Sequence, residues 1–514
     1  MKLLIHHTDT PLRLLDESGE TIPFSSEGRL SADLFALART FPDELILWCN
    51  TELYEFLNLA AIDSIFHHKR IMASYAASKT SFLPKQIGYV EDSPFLKVNF
   101  EVNYPTWLMH SDVGGIHAEV LNLLDEKVFF NKSFDLTLNS IAKEAIKSGL
   151  FCYSNPKLLK MPSEEKFIPS TASNEQLFQF IKSHYKGVWI YLAFLSYLLY
   201  ERKLLLFPLI ANLFRSRKNT STGKIQANDI ISTSQKTIGK SMDVIIPTMG
   251  RKTYLYDVLK DLAKQTILPA KVIIVEQNAD SKSKSELDYI TSETWPFEII
   301  HEFTHQAGAC NARNIAIKKC TSDWIFMADD DIRFPENTLA DVFRFLEQTQ
   351  IKAVTLSCLR DDDIEIEKNV IQWVSFGSGC SVVSSEVVRA TFYNMAYEFG
   401  YGEDMEYGMQ LRNQGVDILY NPHIKLKHLK AAVGGFRKPI KKPWEAEVVL
   451  PKPAPTIMRF RMEHTTAEQL KGYKLQLFLK YYRRQKIKNP FAYIKMMKKA
   501  WNASQQWAKS LNNK

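Results

Sequence analysis

The sequence has few cysteines, and no two of them stand at a spacing typical of metal or redox sites. Six cysteines are scattered over 514 residues, without a C-x-x-C arrangement. This argues against a zinc ribbon and a dithiol redox centre, so we expect reduced thiols. Met1–Ile5 runs directly into two histidines, and no secretory hydrophobic segment is expected there.

Long apolar runs are also missing. Residues 187–200 and 204–214 are strongly apolar, but three charged residues separate them, and neither run reaches the ~20 residues needed to span a bilayer. Pro208 interrupts the second run. The pattern fits either two helices packed between domains or a hairpin lying in a membrane interface. The polar stretch 216–240 that follows is predicted to be a linker.

Acidic residues are absent from residue 469 to the end of the sequence, where twelve lysines and arginines occur. Removing those cations would take the formal net charge of the chain from +8 to −4. Apolar residues recur there at helical spacing: Tyr473, Leu477, Tyr481, Phe491, Ile494, Met497 and Trp501. We predict basic amphipathic helices that either lie on an anionic membrane surface or pack back on the catalytic domain.

The most informative stretch is a short apolar run that ends in three adjacent aspartates. Residues 324–327 are Trp-Ile-Phe-Met, and Asp329, Asp330 and Asp331 follow after one alanine. Such a run predicts a buried strand of a parallel sheet, whose carboxyl end is where open α/β sheets bind ligands. Adjacent carboxylates need a counter-charge, which Mg²⁺ or Mn²⁺ would supply. The alternative is a solvated acidic turn, which is our interpretation of residues 361–363.

From residue 242 onward, predicted strands alternate with predicted helices. Residues 244–246 and 272–275 are apolar strands, which end at Pro247 and Glu276. A helix is predicted after the first of them, and another opens near residues 308–314, just before the aspartate strand. This alternation implies a parallel α/β sheet.

The first 160 residues also carry an α/β pattern, and three of their segments resemble later ones. The pairs are Gly149–Pro156 with Gly415–Pro422, Pro42–Asn50 with Pro269–Asn278, and Trp107–Asp112 with Trp324–Asp329. We interpret the N-terminal part as a shortened copy of the central domain that has lost its metal site. Chance similarity between two α/β domains is the alternative.

Six motifs follow one another in the order typical of family 2 glycosyltransferases of the GT-A fold. They are Ile246-Pro-Thr-x-x-Arg251, the acid Glu276, Ala312-Arg-Asn314, the triple aspartate, Gly377-Ser-Gly379 and Gly402-Glu-Asp404. The chain resembles this family over roughly residues 242–436. The resemblance implies a nucleotide-sugar donor and a divalent cation. Glu276 stands where the family usually has aspartate, which leaves the nucleotide preference open.

The resemblance also implies roles for individual residues on the donor side. Those expected to hold the donor are Pro247, Thr248, Arg251, Glu276, Arg313, Asp329, Asp330 and, in a glycine-rich loop, Arg437. Within the D-x-D motif, Asp329 would face the ribose and Asp331 the metal. His428 would complete the metal site, with a histidine at a surface strand end as the alternative.

Asp404, or its neighbour Glu403, is expected to be the general base. One positioned carboxylate typically contributes about 10²–10⁴-fold. Asp404 opens a predicted helix, whose dipole would favour the charged form of the carboxyl. Gly379 and Gly402 are expected on the acceptor side, where Gly402 lets the backbone pass close to a ligand. Simple helix capping is the alternative for the two acids.

Two other classes of function fit parts of the sequence. A sugar nucleotidylyltransferase would share the fold signals, but its Gly-x-Gly-Thr-Arg turn after the first strand is absent. A non-enzymatic protein could bind nucleic acid or membrane through the basic tail. The basic residues lie in helical patterns rather than on a β-platform with stacking aromatics, so no nucleic-acid partner is expected.

We therefore predict a metal-dependent inverting glycosyltransferase that uses Mn²⁺ or Mg²⁺. A UDP-sugar is the first expectation for the donor, and a glycan or lipid-linked acceptor in bacterial surface polysaccharide or glycolipid assembly is expected. The predicted domains are a degenerate GT-A-like domain (1–180), apolar helices and linker (181–240), a catalytic domain (241–436) and a basic helical tail (437–514). A cytoplasmic location is expected, with peripheral contact to the inner face of the membrane.

Overall fold

The computed structural model describes residues 1–129, 131–160, 167–215, 225, 230–234, 236–432 and 441–511. The chain forms two compact units. The first contains Met1–Gln235 and Thr465–Arg483, and the second contains Lys236–His464 and Arg484–Lys514. The C-terminal segment is therefore divided between the units. The four domain ranges given from the sequence stay a prediction.

The first unit is built on a mixed sheet. Its strands within the described residues are β1 (Lys2–His7), β2 (Thr10–Leu15), β3 (Thr21–Ile22), β4 (Leu45–Asn50), β5 (Ile71–Tyr75), β6 (Tyr104–Pro105), β7 (Val113–His117) and β8 (Phe151–Ser154). Their spatial order is β3-β2-β1-β4-β7-β5-β8-β6. β1 is parallel to β4 and β5 is parallel to β8, whereas β7 runs antiparallel to both of its neighbours.

Helices cover this first sheet. They are α1 (Leu30–Thr40), α2 (Ile62–Ile65), α3 (Ala118–Asn122), α4 (Glu126–Phe129), α5 (Phe134–Ala145), α6 (Asn174–His184), α7 (Val188–Ser196) and α8 (Leu206–Leu213). The core joins Trp48 and Ile116 of the sheet to Leu34, Ile141 and Phe178 of the helices, and all five are buried. Burial of such apolar side chains is the main source of the unit's stability.

The second unit is also a mixed α/β sheet. Its strands within the described residues are β9 (Met242–Thr248), β10 (Lys271–Gln277), β11 (Glu298–Thr304), β12 (Trp324–Ala328), β13 (Ile332–Arg333), β14 (Ala353–Leu359), β15 (Ile371–Gln372), β16 (Cys380–Ser384) and β17 (Leu419–His428). Their order is β11-β10-β9-β12-β16-β14-β17-β13, and β15 pairs with β17. The prediction of two tandem α/β units is confirmed.

The helices of the second unit connect these strands. They are α9 (Lys252–Ala263), α10 (Tyr289–Ser292), α11 (Ala309–Ile317), α12 (Thr338–Thr349), α13 (Ser385–Val388), α14 (Glu403–Asn413) and α15 (Pro455–His464). β12 is buried along its whole length, as its apolar sequence predicts. Because β9, β10 and β12 are parallel, their carboxyl ends lie at one edge of the sheet. The three aspartates after β12 therefore lie beside the loop that follows β9.

The two sheets share part of their topology, which supports the interpretation of an N-terminal copy. β4, β7, β5 and β8 have the same order and directions as β12, β16, β14 and β17. The resemblance of 149–156 to 415–422 is thus confirmed. The other two sequence pairings are wrong. Residues 42–50 contain β4, which corresponds to β12 and not to β10. Residues 107–112 directly precede β7, the counterpart of β16, and so do not correspond to β12. Short apolar runs look alike in any buried strand, so only the register distinguishes them.

The register identifies equivalent residues in the two units. Asn50 N–H donates to the Asp112 carbonyl (2.7 Å), as Asp329 N–H donates to the Gly379 carbonyl (3.1 Å). Asn50 therefore occupies the position of the first aspartate. The β2–β3 hairpin stands where the second unit has β10 and β11. The first unit therefore lacks both the aspartate cluster and counterparts of the parallel strands β10 and β11.

One feature of the site is kept in the first unit. Ser111 donates from its N–H (2.7 Å) and its hydroxyl (2.9 Å) to Asp135 near the start of α5. The corresponding pair in the second unit is Ser378 and Asp404, near the start of α14. In the first unit, however, Asp9 accepts a hydrogen bond from Phe134 N–H (2.8 Å), so the β1–β2 turn closes over this helix end.

The C-terminal helices belong to different units. α16 (Ala467–Tyr482) contacts the 3₁₀ turn Lys85–Tyr89 and α7 in the first unit. α17 (Pro490–Ser510) packs against α15 in the second. In α17, Met497 and Trp501 are buried, whereas Phe491 is exposed. Two of the four stripe residues of α17 therefore pack within its own unit. No helix among the described residues is long and apolar enough to cross a bilayer.

Candidate active site

A cleft of about 270 Å³ lies at the carboxyl edge of β9, β10 and β12. Predicted site residues that line it are Pro247, Thr248, Arg251, Arg313, Asp329, Asp330, Asp331, Glu403 and His428. Three further lining residues were not predicted: Met249, Gln277 and Ala309. Segments far apart in the sequence meet here because the parallel strands end at the same edge.

Asp330 is the buried centre of the aspartate cluster. Its carboxylate accepts hydrogen bonds from Thr248 Oγ1 (2.7 Å) and from Arg251 Nη1 (2.6 Å). Burial raises the pKa of Asp330 to about 6, although the Arg251 charge acts in the opposite direction. A guanidinium group thus supplies part of the counter-charge that the sequence led us to expect from a metal.

Asp331 is held more firmly in its charged form. Burial alone would raise its pKa, but a hydrogen bond with His428, the Ala431 N–H and the Arg251 charge lower it to about 2. His428 Nε2 lies 3.4 Å from Asp331 Oδ1, and the Ala431 N–H donates at 2.8 Å. The hydrogen bond to Asp331 raises the pKa of His428. The predicted metal pair is therefore in contact.

The donor atoms fit a divalent cation in type. A carboxylate and an imidazole at the cleft wall suit Mn²⁺, and carboxylate oxygens suit Mg²⁺. Across the described ranges, however, no group of three or more His, Cys, Asp or Glu side chains is positioned to hold a metal. A cation bound by Asp331 and His428 would need its remaining ligands from water or from the diphosphate of a donor.

Asp329 lies on the opposite side of the cluster. Arg313, which projects from α11, donates to Asp329 Oδ1 at 3.1 Å. A Cβ atom at Gly379 would overlap the Asp329 carboxylate, so a side chain at this position would displace Asp329 from its present place. Gly379, which was expected on the acceptor side, therefore lies against Asp329, which was expected on the donor side. The guanidinium of Arg313 is buried and also lies over the Tyr393 ring, with 5.5 Å to the centroid.

The two candidate bases stand at the start of α14. Gly402 precedes them with φ of +105°, a conformation that a residue with a Cβ would adopt only with strain. Asp404 Oδ1 accepts hydrogen bonds from the Ser378 hydroxyl and, at 3.4 Å, from its N–H. The Tyr393 hydroxyl donates in turn to Ser378 Oγ (2.6 Å). This Tyr–Ser–Asp chain fixes one oxygen of the carboxylate.

Burial controls the ionisation of both acids. It raises the pKa of Asp404, against the opposing charge of Arg313. It also raises the pKa of Glu403, assisted by the neighbouring Asp404 charge. Desolvation thus outweighs the Arg313 charge and the Ser378 hydrogen bond at Asp404, and the expected contribution of the helix dipole stays a prediction. A raised pKa suits a group that must accept a proton near neutral pH.

The acid after β10 is engaged by the protein itself. Glu276 accepts from the Glu286 N–H (3.0 Å), and its other oxygen lies 3.0 Å from His301 Nε2. Its neighbour Gln277 lines the cleft and accepts from the Gly308 N–H (2.6 Å). Gln277 follows the predicted acid directly, so the end of the strand was the available signal. Arg437, the last predicted donor residue, lies outside the described residues.

A second cavity of about 480 Å³ adjoins the cleft, and Ala309 and Glu403 line both. Four aromatic residues line it: Tyr397, Phe399, Tyr401 and Trp444. Glu398, Glu445 and Lys442 add charge to it. Phe399 has φ of +58°, which is uncommon for a bulky residue and typical of functional sites.

Residues 243–397 match the family model described as Glycosyl transferase family 2. The chain is 31% identical over 107 residues to an uncharacterized glycosyltransferase of Haemophilus influenzae, covering 21% of this chain and 35% of that protein. It is 25% identical over 118 residues to the minor teichoic acid biosynthesis protein GgaB of Bacillus subtilis, covering 22% of this chain and 13% of that one. The chain thus spans about a third of the first relative and less of the second.

Among solved structures, S. aureus TarS 1–349 in complex with UDP-GlcNAc is similar at a TM-score of 0.33 and 14% identity. The alignment covers 53% of this chain and 83% of that one. The family match over residues 243–397, and not this structural likeness, confirms the predicted GT-A class of the second unit.

Proposed function

We propose that the second unit, whose residues 243–397 match the model of glycosyl transferase family 2, is a metal-dependent inverting glycosyltransferase. It would move a sugar from a nucleotide-sugar donor to an acceptor hydroxyl. The observation that carries the proposal is one cleft in which three aspartates, two arginines and the start of the Glu403–Asp404 helix meet. The aspartates, with a cation, and the arginines would bind a diphosphate. The acids at the helix start would remove a proton from the acceptor.

The charge of the cleft supports a requirement for a cation. Its lining carries four carboxylates and two guanidinium groups, a formal charge of −2 before His428 is counted and −1 with His428 protonated beside Asp331. A nucleoside diphosphate adds more negative charge, and like charges in a partly buried site repel strongly. When bound at Asp331 and His428, Mn²⁺ or Mg²⁺ would offset that repulsion and the charge of the leaving diphosphate. Arg251 and Arg313 would hold the phosphates beside it.

The remaining donor contacts follow the resemblance. Pro247, Thr248 and Glu276 would lie along the nucleoside, and Asp329 would face the ribose. A UDP-sugar is our first choice of donor. Glu276 is already engaged by His301, so a nucleobase would contact it only if that pair opened; Gln277 offers an amide at the same strand end.

Asp404 would act as the general base. The acceptor oxygen would attack the anomeric carbon as the bond from that carbon to the diphosphate oxygen breaks, and the hydroxyl proton would pass to Asp404. One displacement at carbon inverts its configuration. Ser378 and Tyr393 would orient the carboxylate, since their hydrogen bonds fix Oδ1 and leave Oδ2 for the acceptor.

The second cavity, which we call the aromatic cavity and which Glu403 also lines, would bind the acceptor. Aromatic faces and carboxylates suit the apolar faces and hydroxyl groups of sugars. Three carboxylates against one ammonium group make this wall net negative, which favours a neutral or amino-sugar terminus over a phosphate-bearing one. We propose an acceptor from surface polysaccharide or glycolipid assembly, and GgaB is a partial relative whose name points to polymer synthesis.

We also propose that the protein works in the cytoplasm, in peripheral contact with the inner face of the membrane. The twelve cations after residue 469, with no acid among them, support attraction to anionic lipids. A lipid-linked acceptor would be presented there.

A panel of UDP-, GDP- and dTDP-sugars tests the proposed reaction. Incubation with the purified protein should release nucleoside diphosphate from at least one donor, and Mn²⁺ should increase the rate. The control is Asp404→Asn, which should bind the same donor and release little. Release of pyrophosphate from a nucleoside triphosphate and a sugar phosphate would indicate nucleotidyl transfer instead. No turnover of any donor, with or without metal, would contradict the proposal.

A further inference from the structure

The segment 188–214 of the first unit, which we call the apolar hairpin, exposes a concentration of large apolar side chains. It consists of α7, the π-helical turn Tyr197–Glu201 and α8. Of the 26 exposed large apolar side chains in the described residues, nine belong to this short segment. They are Val188, Tyr191, Leu198, Leu199, Leu204, Leu206, Phe207, Ile210 and Phe214. Isolated exposed apolar residues are ordinary, but a contiguous group marks an interaction surface.

The hairpin is a well-formed structure with two distinct faces. Ile190, Ala193 and Tyr197 of the first helix are buried in the core of the first unit, as is Leu209 of the second. The exposed side chains occupy the opposite helical positions. Glu201 in the turn accepts a hydrogen bond from the Tyr89 hydroxyl, which ties the turn to the same unit. The apolar outer face is therefore held in place, and local fraying does not account for it.

The charges at the hairpin are cationic. Arg202 and Lys203 at its turn and Arg215 just after it are exposed. Glu201 is the only acid in residues 188–215, and it is bonded to Tyr89. An apolar face bordered by arginine and lysine complements the interface of an anionic bilayer, where acyl chains lie beneath negative headgroups.

We propose that the apolar hairpin inserts its outer face into the interfacial layer of an anionic membrane and anchors the protein there. α7 and α8 have nine and eight residues, so each is far shorter than a bilayer and would lie within one leaflet. The C-terminal helix α17 cannot supply the same anchor, because Met497 and Trp501 of its stripe are buried. Its lysines would add long-range attraction only. This anchoring does not depend on glycosyl transfer.

Vesicle co-sedimentation of the full chain tests the proposal. Large unilamellar vesicles of phosphatidylcholine with phosphatidylglycerol in equal parts would be compared with phosphatidylcholine alone. The test variant is Phe207→Ser with Ile210→Ser, two exposed positions on the outer face of α8. The matched control is Phe491→Ser, an aromatic residue of α17 that is 83% exposed. Circular dichroism would verify that each variant is folded.

The wild type should bind anionic vesicles and bind neutral ones less. The double serine variant should lower the partition coefficient about a hundredfold, since each side chain of this size contributes roughly tenfold. Arg202→Gln with Lys203→Gln should weaken anionic binding about fivefold per cation, while Phe491→Ser should bind like the wild type. Wild-type binding by the double serine variant would overturn the proposal. The proposal would also be overturned if the wild type formed a dimer that bound no vesicles and the double serine variant were a monomer. That result would assign the outer face of the hairpin to a second copy of the chain.

Discussion

The assignment of Asp404 as general base gives the sharpest quantitative prediction. Asp404→Asn keeps the shape of the side chain and an oxygen that can accept the hydrogen bond from Ser378. The amide, however, cannot take up the proton of the acceptor hydroxyl. A positioned base contributes about 10²–10⁴-fold, so kcat should fall by that factor. Donor affinity measured by calorimetry should stay within a few-fold of wild type, because Asp404 does not line the donor cleft.

Two companion variants separate base chemistry from structure. Glu403→Gln should lower kcat less than Asp404→Asn, since Glu403 lines the cleft and the aromatic cavity but is not held by Ser378. Ser378→Ala removes a hydrogen bond to a charged group, worth roughly 1.5–3 kcal/mol. Losing it should raise the pKa of Asp404 further. Activity requires the deprotonated base, so the acidic limb of the kcat/KM profile should move to higher pH, by about one to two pH units.

Turnover against pH, with the best donor of the panel at saturating Mn²⁺, is the assay. If Glu403→Gln is the variant that loses several orders of magnitude while Asp404→Asn stays within tenfold of wild type, Asp404 is not the base. An unchanged acidic limb in Ser378→Ala would show that the hydrogen bond does not tune the reacting group.

Three further predictions concern the metal site, the buried charges and pH. Asp331→Ala should abolish the Mn²⁺-stimulated part of donor binding in calorimetry, and unchanged binding would move the metal elsewhere. Arg251→Met should destabilise the second unit in urea unfolding by about 3–5 kcal/mol, because Asp330 would stay buried without its counter-charge. Adding Asp330→Asn to Arg251→Met should recover part of the lost stability. A destabilisation by Arg251→Met of less than about 1 kcal/mol would contradict this. In the first unit, burial would raise the pKa of Glu144, but its hydrogen bond with His184 and the Lys147 charge lower it to about 2. A folded pKa below the unfolded value gives stability, worth ~3 kcal/mol, that is present above about pH 4.5 and lost as pH falls toward 2. Glu144→Gln should therefore flatten the acid-induced loss of stability in unfolding curves, and an equally steep loss in the variant would refute this.

Much of the candidate site could be predicted because its residues follow short, strongly patterned segments. The apolar run of β12 indicated a buried strand, and that placed Asp329–Asp331 at the sheet edge. The pairing of Arg251 with Asp330 could not be predicted, since it depends on how the loop after β9 meets the end of β12. Ser378 belongs to the Gly377-Ser-Gly379 motif, but its hydrogen bond to Asp404 could not be predicted. That hydrogen bond requires two segments 26 residues apart in the sequence to meet.

The relation between the two units was harder to read from sequence. β4 resembles β10 in composition, yet its neighbours in the sheet make it the counterpart of β12. The tail shows the same limit. α16 and α17 carry similar basic and apolar residues, but α16 packs in the first unit and α17 in the second. Periodicity reports which face of a helix is apolar, and it does not report which partner covers that face.

The stereochemistry of donor hydrolysis tests the central claim most directly. Water can replace the acceptor, so the experiment needs only the active nucleotide sugar, Mn²⁺ and early proton NMR spectra of the released sugar. A single displacement assisted by Asp404 should give the β-anomer first from an α-linked donor, before mutarotation mixes the two forms. Release of the α-anomer first would require a second displacement or a different mechanism, and would contradict this account of the cleft.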